Sequence, residues 1–252
     1  MADQLKTYKA ELHLHTVLSP CASVEMIPPL IIQTAQEKQI NLIAVTDHNS
    51  TANIQAVMQA AQGSNIIVLP GMELQTREEI HSLCLFDTLD QTEEFQKFVS
   101  RSLPDIQNKA DTFGEQFIVD ASGDFIRRED RMLLTSTSLS LKAAWEIVNK
   151  LGGLLIPAHV NRTVFGLLPV LGFVPEDIAL EVLEISRQIT LLQARQQYPQ
   201  LEKYPLIQNG DAHQLEDILG ITTFTLQSPQ INEIRLAIKG LQGRSFEIIQ
   251  KS

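Results

Sequence analysis

The sequence is short of disulfide-forming residues, positive charge, aromatic rings and long apolar runs. Two cysteines in 252 residues are too few for a disulfide framework, so a reducing cytoplasm is the expected setting. Lys and Arg total 20 against 30 Asp and Glu, a formal net charge of −10. Such a chain lacks the basic face that duplex nucleic acid or an anionic membrane would need, and neither is expected as a partner. A metal site could still supply positive charge locally to a phosphorylated substrate. Aromatic residues make up 6%, which counts against a stacking groove for long single strands. No apolar run approaches a membrane span, and the opening "MADQLKTYKA" has no signal-peptide core.

What remains is an ordinary globular composition, 44% hydrophobic and 20% charged. The length suits one α/β domain over residues 1–252. Strand-like runs alternate with helix-like stretches: "YKAELHLH", "NLIAVTDH", "NIIVLPGMEL", "EEIHSLCLF", "LLIPAH", "LEVLEIS", "PLIQNGDAH" and "GITTFTL" read as strands. Among the helices, "PPLIIQTAQEKQI" opens on Pro28 and Pro29, and "TANIQAVMQAAQ" stops at Gly63. Short strands spaced by helices predict a mostly parallel sheet or barrel. Residues 87–136 break the rhythm with a helical stretch and a hairpin around Ser122, Gly123 and Asp124. They are expected to form an insertion, lid-like near a site or else a peripheral decoration.

The chemistry lies where the strands end. His13 and His15 close the first strand, Asp47 and His48 the second; Glu73 follows the third and His81 lies on the fourth. His159 ends "LIPAH", and Asp211 and His213 end "NGDAH". In a parallel barrel the C-terminal strand ends share one face. All six histidines of the chain fall in such places. Each residue alone has a plainer reading: a hydrogen-bonded core histidine, a helix cap at Asp47, a solvated Glu73, a turn at Asp211. Together, and with two pairs spaced i and i+2 on one side of a strand, they point to a metal site.

The motifs "HLH", "VTDHN", "PGMEL", "IHSLCLF", "PAH" and "GDAH", in that order, resemble those of the PHP (polymerase and histidinol phosphatase) superfamily. The resemblance implies a distorted (β/α)7 barrel with up to three divalent metal ions, Zn, Mn or Fe, at the C-terminal ends of the strands. It implies one metal on His13, His15, Glu73 and Asp211. A second would share Glu73 and add His81 and His159. A third would take His48, His213 and a residue from the loop after His15. Family members often carry His or Asp there. This loop has neither, and Cys21 stands at the fitting distance. Cys-His-His suits zinc; the alternative is that Cys21 is a small buried hydrophobe. Cys84 alternates away from His81 and reads as core.

The expected activity is metal-dependent phosphoester hydrolysis of a small phosphorylated metabolite or short nucleotide by a metal-activated hydroxide. Glu73 bridges two cations. Asp47 orients a ligand or accepts the proton of the attacking water. Arg162 is the expected cation for a non-bridging phosphate oxygen, or a plain surface arginine. Two other functions compete: a noncatalytic metal-stabilised module, and an exonuclease on short single strands.

Overall fold

The structure, a computed structural model, describes residues 4–249. In chain order its elements are β1 (Lys6–Leu14), α1 (Pro28–Glu37), β2 (Leu42–Val45), α2 (Ile54–Ala60), β3 (Ile67–Gln75) and β4 (His81–Leu85). There follow α3 (Leu89–Ser102), α4 (Ala110–Phe113), β5 (Phe117–Val119), β6 (Phe125–Arg128), α5 (Leu141–Lys150) and β7 (Leu154–Pro157). The last group is α6 (Leu167–Leu171), β8 (Leu183–Ile185), α7 (Leu191–Gln197), β9 (Leu206–Gln208), β10 (Thr222–Leu226), α8 (Ile231–Ile238) and β11 (Ser245–Ile248). Among the described residues, no helix is long and apolar enough to cross a membrane.

The α/β architecture matches the sequence reading, as a curled half-barrel of the distorted barrel type. One sheet runs β11-β10-β1-β2-β3-β4-β7. It is less parallel than the sequence suggests. β1–β2 and β2–β3 are parallel, whereas β3–β4, β4–β7, β1–β10 and β10–β11 are antiparallel. The cause at β4 is its short link: five residues after β3 allow a hairpin but no crossover helix. β8 and β9 pair in parallel as a separate ribbon. That ribbon bridges the gap between β7 and the end of β1. Val160 N–H donates to the Glu184 carbonyl at 2.8 Å, and Ala212 exchanges backbone hydrogen bonds with His13 and His15 at 2.9 and 3.0 Å.

Alternation along the strands decides what faces the lumen. Leu12, Leu42, Leu69, Leu83, Ile156 and Ile207 join one apolar cluster drawn from strands all round the wall, and α8 packs into it with Ile231 and Ile234. The residues of opposite parity pack outward, Ile43 and Val68 with α1 and α2, Cys84 and Leu155 with α3 and α5. Cys84 is thus in the core, on the side away from His81, and burial pushes its thiol pKa up. Counting in twos from the lumen residues leads from Leu69 to Glu73, from Leu83 to His81 and from Ile207 to Asp211. β1 needs a correction to reach its target. Its register to β2 shifts between Glu11 and Leu14. This bulge reverses the parity, so that Leu14 joins the outer cluster and His13 turns toward the lumen.

Segment 87–136 has two parts. α3 is capped by Thr88 and Gln91 and buries Phe95 and Val99 in the outer core. The later part drapes over the loops after β1 and β2. Phe117 N–H donates to the Val17 carbonyl at 3.2 Å, and the Asn49 amide donates to the carbonyls of Leu133 and Thr135 at 2.8 and 2.9 Å.

A buried carboxylate holds the loop after β9. Glu11 accepts the N–H groups of Gly210, Leu219 and Gly220 at 2.8, 3.0 and 3.1 Å. Gly210 fits because it has no side chain: a Cβ there would meet the Asp217 carbonyl oxygen at 1.8 Å. Gly210→Ala should cost about 1–3 kcal/mol, typical of overpacking. Calorimetry should show it as a melting point lower by several degrees.

Candidate metal centre

At the end of the lumen stands a buried carboxylate ringed by imidazoles. Glu73 is 1% exposed. Its Oε1 lies 3.2 Å from His13 Nε2, 2.9 Å from His81 Nδ1 and 3.2 Å from His159 Nε2. Its Oε2 lies 3.3 Å from His15 Nε2 and 3.0 Å from His48 Nδ1. Asp211 Oδ1 is 3.3 Å from both His13 Nε2 and His213 Nδ1, and 3.6 Å from His15 Nε2. Eight of the nine His, Glu and Asp residues singled out at the strand ends, all but Asp47, are therefore together. His81 arrives by a route the sequence did not show, at the start of an antiparallel strand that runs away from the site. His159 and Asp211 have φ of 30° and 49°. Such values are unfavourable for residues with a Cβ, and strain of this kind gathers at functional sites.

Three further expected residues lie at the margin or behind the ring. Asp47 is buried, and its carboxylate accepts Thr16 N–H, Thr16 O–H and Ser19 O–H, each at 2.7 Å. These bonds tie it to the loop after β1, behind His15. The hydroxyl of Ser19, donating to Asp47, is left to accept from His15 Nδ1 at 3.0 Å. That keeps Nδ1 protonated and reserves Nε2, which faces Glu73, as the atom that would bind a cation once its proton leaves. Arg162 is half-exposed at the rim, its guanidinium 2.9 Å from Asp211 Oδ2. Cys21 is exposed and lines the same cavity as His48 and His213.

Sequence reading missed Glu184. Its carboxylate lies 3.0 Å from His13 Nδ1, accepts His159 N–H at 2.9 Å and accepts the Asn209 amide at 2.7 Å. It holds His13 as Ser19 holds His15. The signal was a carboxylate inside the apolar run "LEVLEIS", where burial demands a partner.

The electrostatics follow from crowding. Burial alone would lower His13, but the charges of Glu184, Glu73 and Asp211 outweigh it and raise it well above the usual imidazole range. His15 and His48 are likewise disfavoured by burial and yet lifted to about 9. The neighbouring carboxylates of Asp211 and Glu73 do this for His15, and the charge of Glu73 for His48. Burial wins at His81 and His213, which fall to about 4 and about 3. Burial would raise Glu73, but the surrounding imidazoles, His81 first, hold it well below the usual carboxylate range.

The donor set suits divalent cations. Four trios, His13/His15/Asp211, His13/Glu73/His159, His48/Glu73/His81 and His15/His48/His213, each bring their ligand atoms within 4.8 Å of one another. His13 Nε2, His15 Nε2, His48 Nδ1, His81 Nε2, His159 Nδ1 and Glu73 Oε2 are buried without a hydrogen-bond partner. Each such atom costs about 1–3 kcal/mol if nothing satisfies it. Imidazole and carboxylate donors are ligands for Zn, Mn and Fe. The trios overlap more than the resemblance implied, with His48 shared between Glu73 and His213.

One prediction needs no metal. In chelator-treated protein at pH 7, nitrogen NMR of the rings should show His15 and His48 doubly protonated and His81 and His213 neutral. Glu73→Gln should deprotonate His48 at the same pH, because its largest positive influence is gone.

Comparison with known proteins bears on this site. The chain is 23% identical over 274 residues to the uncharacterized protein YqxK of Bacillus subtilis (strain 168), covering 96% of this chain and 64% of that one. The lesion-specific endonuclease PfuEndoQ from Pyrococcus furiosus superposes with a TM-score of 0.74 at 22% identity, over 96% of this chain and 58% of that one. Endonuclease Q in complex with a 27-mer duplex substrate, an abasic lesion at its active site, superposes at 0.70 and 21% identity with the same coverage. A putative metal-dependent phosphoesterase from Bifidobacterium adolescentis gives 0.55 at 15% identity, covering 88% of this chain and 89% of that one. The chain thus spans under two thirds of the length of YqxK and of Endonuclease Q. The second complex overturns one expectation. A net charge of −10 was read as excluding duplex nucleic acid, yet this fold is found on a duplex. Net charge averages the whole surface, whereas binding is set by the field in the cleft. The model of the PHP domain matches residues 11–159, more than half of the 252. The chain belongs to the PHP domain family.

Proposed function

We propose that this chain hydrolyses phosphodiester bonds of nucleic acid at a centre of two or three divalent cations. Glu73 carries the reading: one buried carboxylate within 3.3 Å of five imidazoles has the chemistry of a bridge between cations. The likeness to Endonuclease Q favours a diester in a nucleic-acid strand over the small phosphorylated metabolite of the sequence reading. His13, His15, Asp211 and Glu73 would hold one cation, Glu73, His81 and His159 a second. His15, His48 and His213 would hold a third, with the Cys21 thiolate reaching in from the rim.

Bound cations would polarise the phosphoryl oxygens and lower the pKa of a water molecule. The protein's own groups keep the geometry. Asp47 through Ser19 fixes the tautomer of His15, and Glu184 fixes that of His13. Arg162 exchanges Asp211 for a non-bridging phosphate oxygen and so holds the diester at the rim. Water adds to phosphorus, the P–O bond to the leaving alcohol breaks, and a proton of the water ends on the leaving oxygen.

With Mn²⁺ or Zn²⁺ the protein should cleave a short oligonucleotide and lose this activity with chelator. Glu73→Gln should lower the rate about a hundredfold or more, on the scale of losing a central electrostatic group. Arg162→Ala should act mainly on KM. A fully metallated protein that cleaves no phosphoester, or a Glu73→Gln variant with wild-type rate and metal content, overturns the reading.

Metal counting tests Cys21 separately. Cys21→Ala should lose about one ion per chain while the ions on Glu73 stay, and Cys21→Asp should regain a site of harder preference. An unchanged count in Cys21→Ala removes Cys21 from the centre.

A further inference from the structure

We infer that Phe113, Leu134 and Phe165 form an apolar mouth over the candidate centre that receives the flat face of an unstacked nucleobase beside the scissile phosphate. The inference rests on the phosphodiester reading above and names the part of the substrate that the metals do not touch.

The cleft has two unlike sides that meet at Cys21, Arg162, Asp211 and His213. On one side a cavity of about 340 Å³ is lined by polar groups, among them Ser186, Gln188 and Asn209. On the other a cavity of about 320 Å³ has Glu73, His48 and His81 among its lining, together with three apolar side chains, Phe113, Leu134 and Phe165. Each is at the lower end of small-ligand sites, about 300–1,000 Å³. A phosphate at the junction, joined to a different group on each side, fits the two halves.

The apolar side is fixed in place. Phe165 has φ 63°, a left-handed conformation that a bulky residue rarely adopts. Its ring lies parallel to His81, centroids 4.4 Å apart and planes 3° apart, and its carbonyl accepts His81 N–H at 3.0 Å. The next residue, Gly166, leaves no room to relax: a Cβ there would meet the Arg162 carbonyl oxygen at 2.2 Å. Phe113 ends α4, and its side chain is 40% exposed. Gly114, φ 98°, packs so closely on the Pro20 carbonyl oxygen that a Cβ would come within 2.2 Å of it. The backbone thereby pins an exposed aromatic ring beside Cys21. Leu134 follows Leu133, whose carbonyl accepts the amide of Asn49, next in sequence to His48. The three side chains are thus fastened to the loops that carry the site residues. Two aromatic rings and a leucine held over a polar cluster match the sequence-tolerant stacking that unpaired bases use.

The test compares a dinucleotide with the same molecule carrying an abasic residue on one side, and follows a 2-aminopurine dinucleotide by fluorescence. The wild-type protein should quench 2-aminopurine and favour the base-bearing dinucleotide about tenfold or more in kcat/KM, mostly through KM. Phe113→Ala should lose most of the quenching and bring the preference toward one, while Phe113→Trp should keep both. Equal turnover of the two dinucleotides by the wild type without quenching overturns the inference and leaves phosphodiester hydrolysis standing. So does a Phe113→Ala variant that slows both substrates equally, which assigns the ring to water exclusion. Quenching that depends on Phe113 in a protein that hydrolyses neither substrate sustains the mouth and defeats the hydrolytic reading.

Discussion

The carboxylate of Glu73 is the constraint to which the rest of the structure answers. A charge buried to 1% exposure is stable only if its surroundings repay the lost hydration, and here five imidazoles do so from four different stretches of chain. One carboxylate cannot charge all of them. Its field raises His48 and, with that of Asp211, His15, while burial prevails at His81 and His213. The pocket thus holds protons on some donors and bare lone pairs on others, and an entering cation would have to displace those protons.

Bringing donors to one point takes departures from regular backbone. The bulge in β1 turns His13 inward, and the left-handed φ at His159 aims a side chain that plain alternation from Ile156 would place elsewhere. Behind the donors, Ser19 with Asp47 and Glu184 hold the rings from their far nitrogens. Regular strands supply the scaffold, local irregularity supplies the aim, and the outer carboxylates supply the tautomer.

The part of this visible in the sequence was what residue type and spacing encode. Histidine has few reasons to close an apolar strand, so His13, His15, His48 and His159 stood out, and the order of the motifs carried the family resemblance. Strand direction was not visible: nothing in "EEIHSLCLF" says whether β4 runs with or against β3, because that depends on the few residues between them. Glu184 was hidden for a different reason. A carboxylate in an apolar run reads as an exposed position until the partners that bury it, His13 and Asn209, are seen beside it. Bulges and left-handed residues leave no compositional trace unless glycine fills them, and His159 and Asp211 are not glycines.

The latch of Glu11 has a consequence for how the chain is made. Its carboxylate binds Gly210, 199 positions later, and Gly220, 209 positions later. At roughly 5–20 residues per second, a ribosome needs about 10–40 s to deliver that far end after β1 has emerged. During this interval Glu11, His13 and His15 have none of their late-arriving partners, and the first strand, paired with β2 on one side, has its β10 edge open. Final closure of the barrel then waits until residues 210–220 have emerged, and a nascent chain stalled before residue 210 would present this open edge to chaperones and proteases.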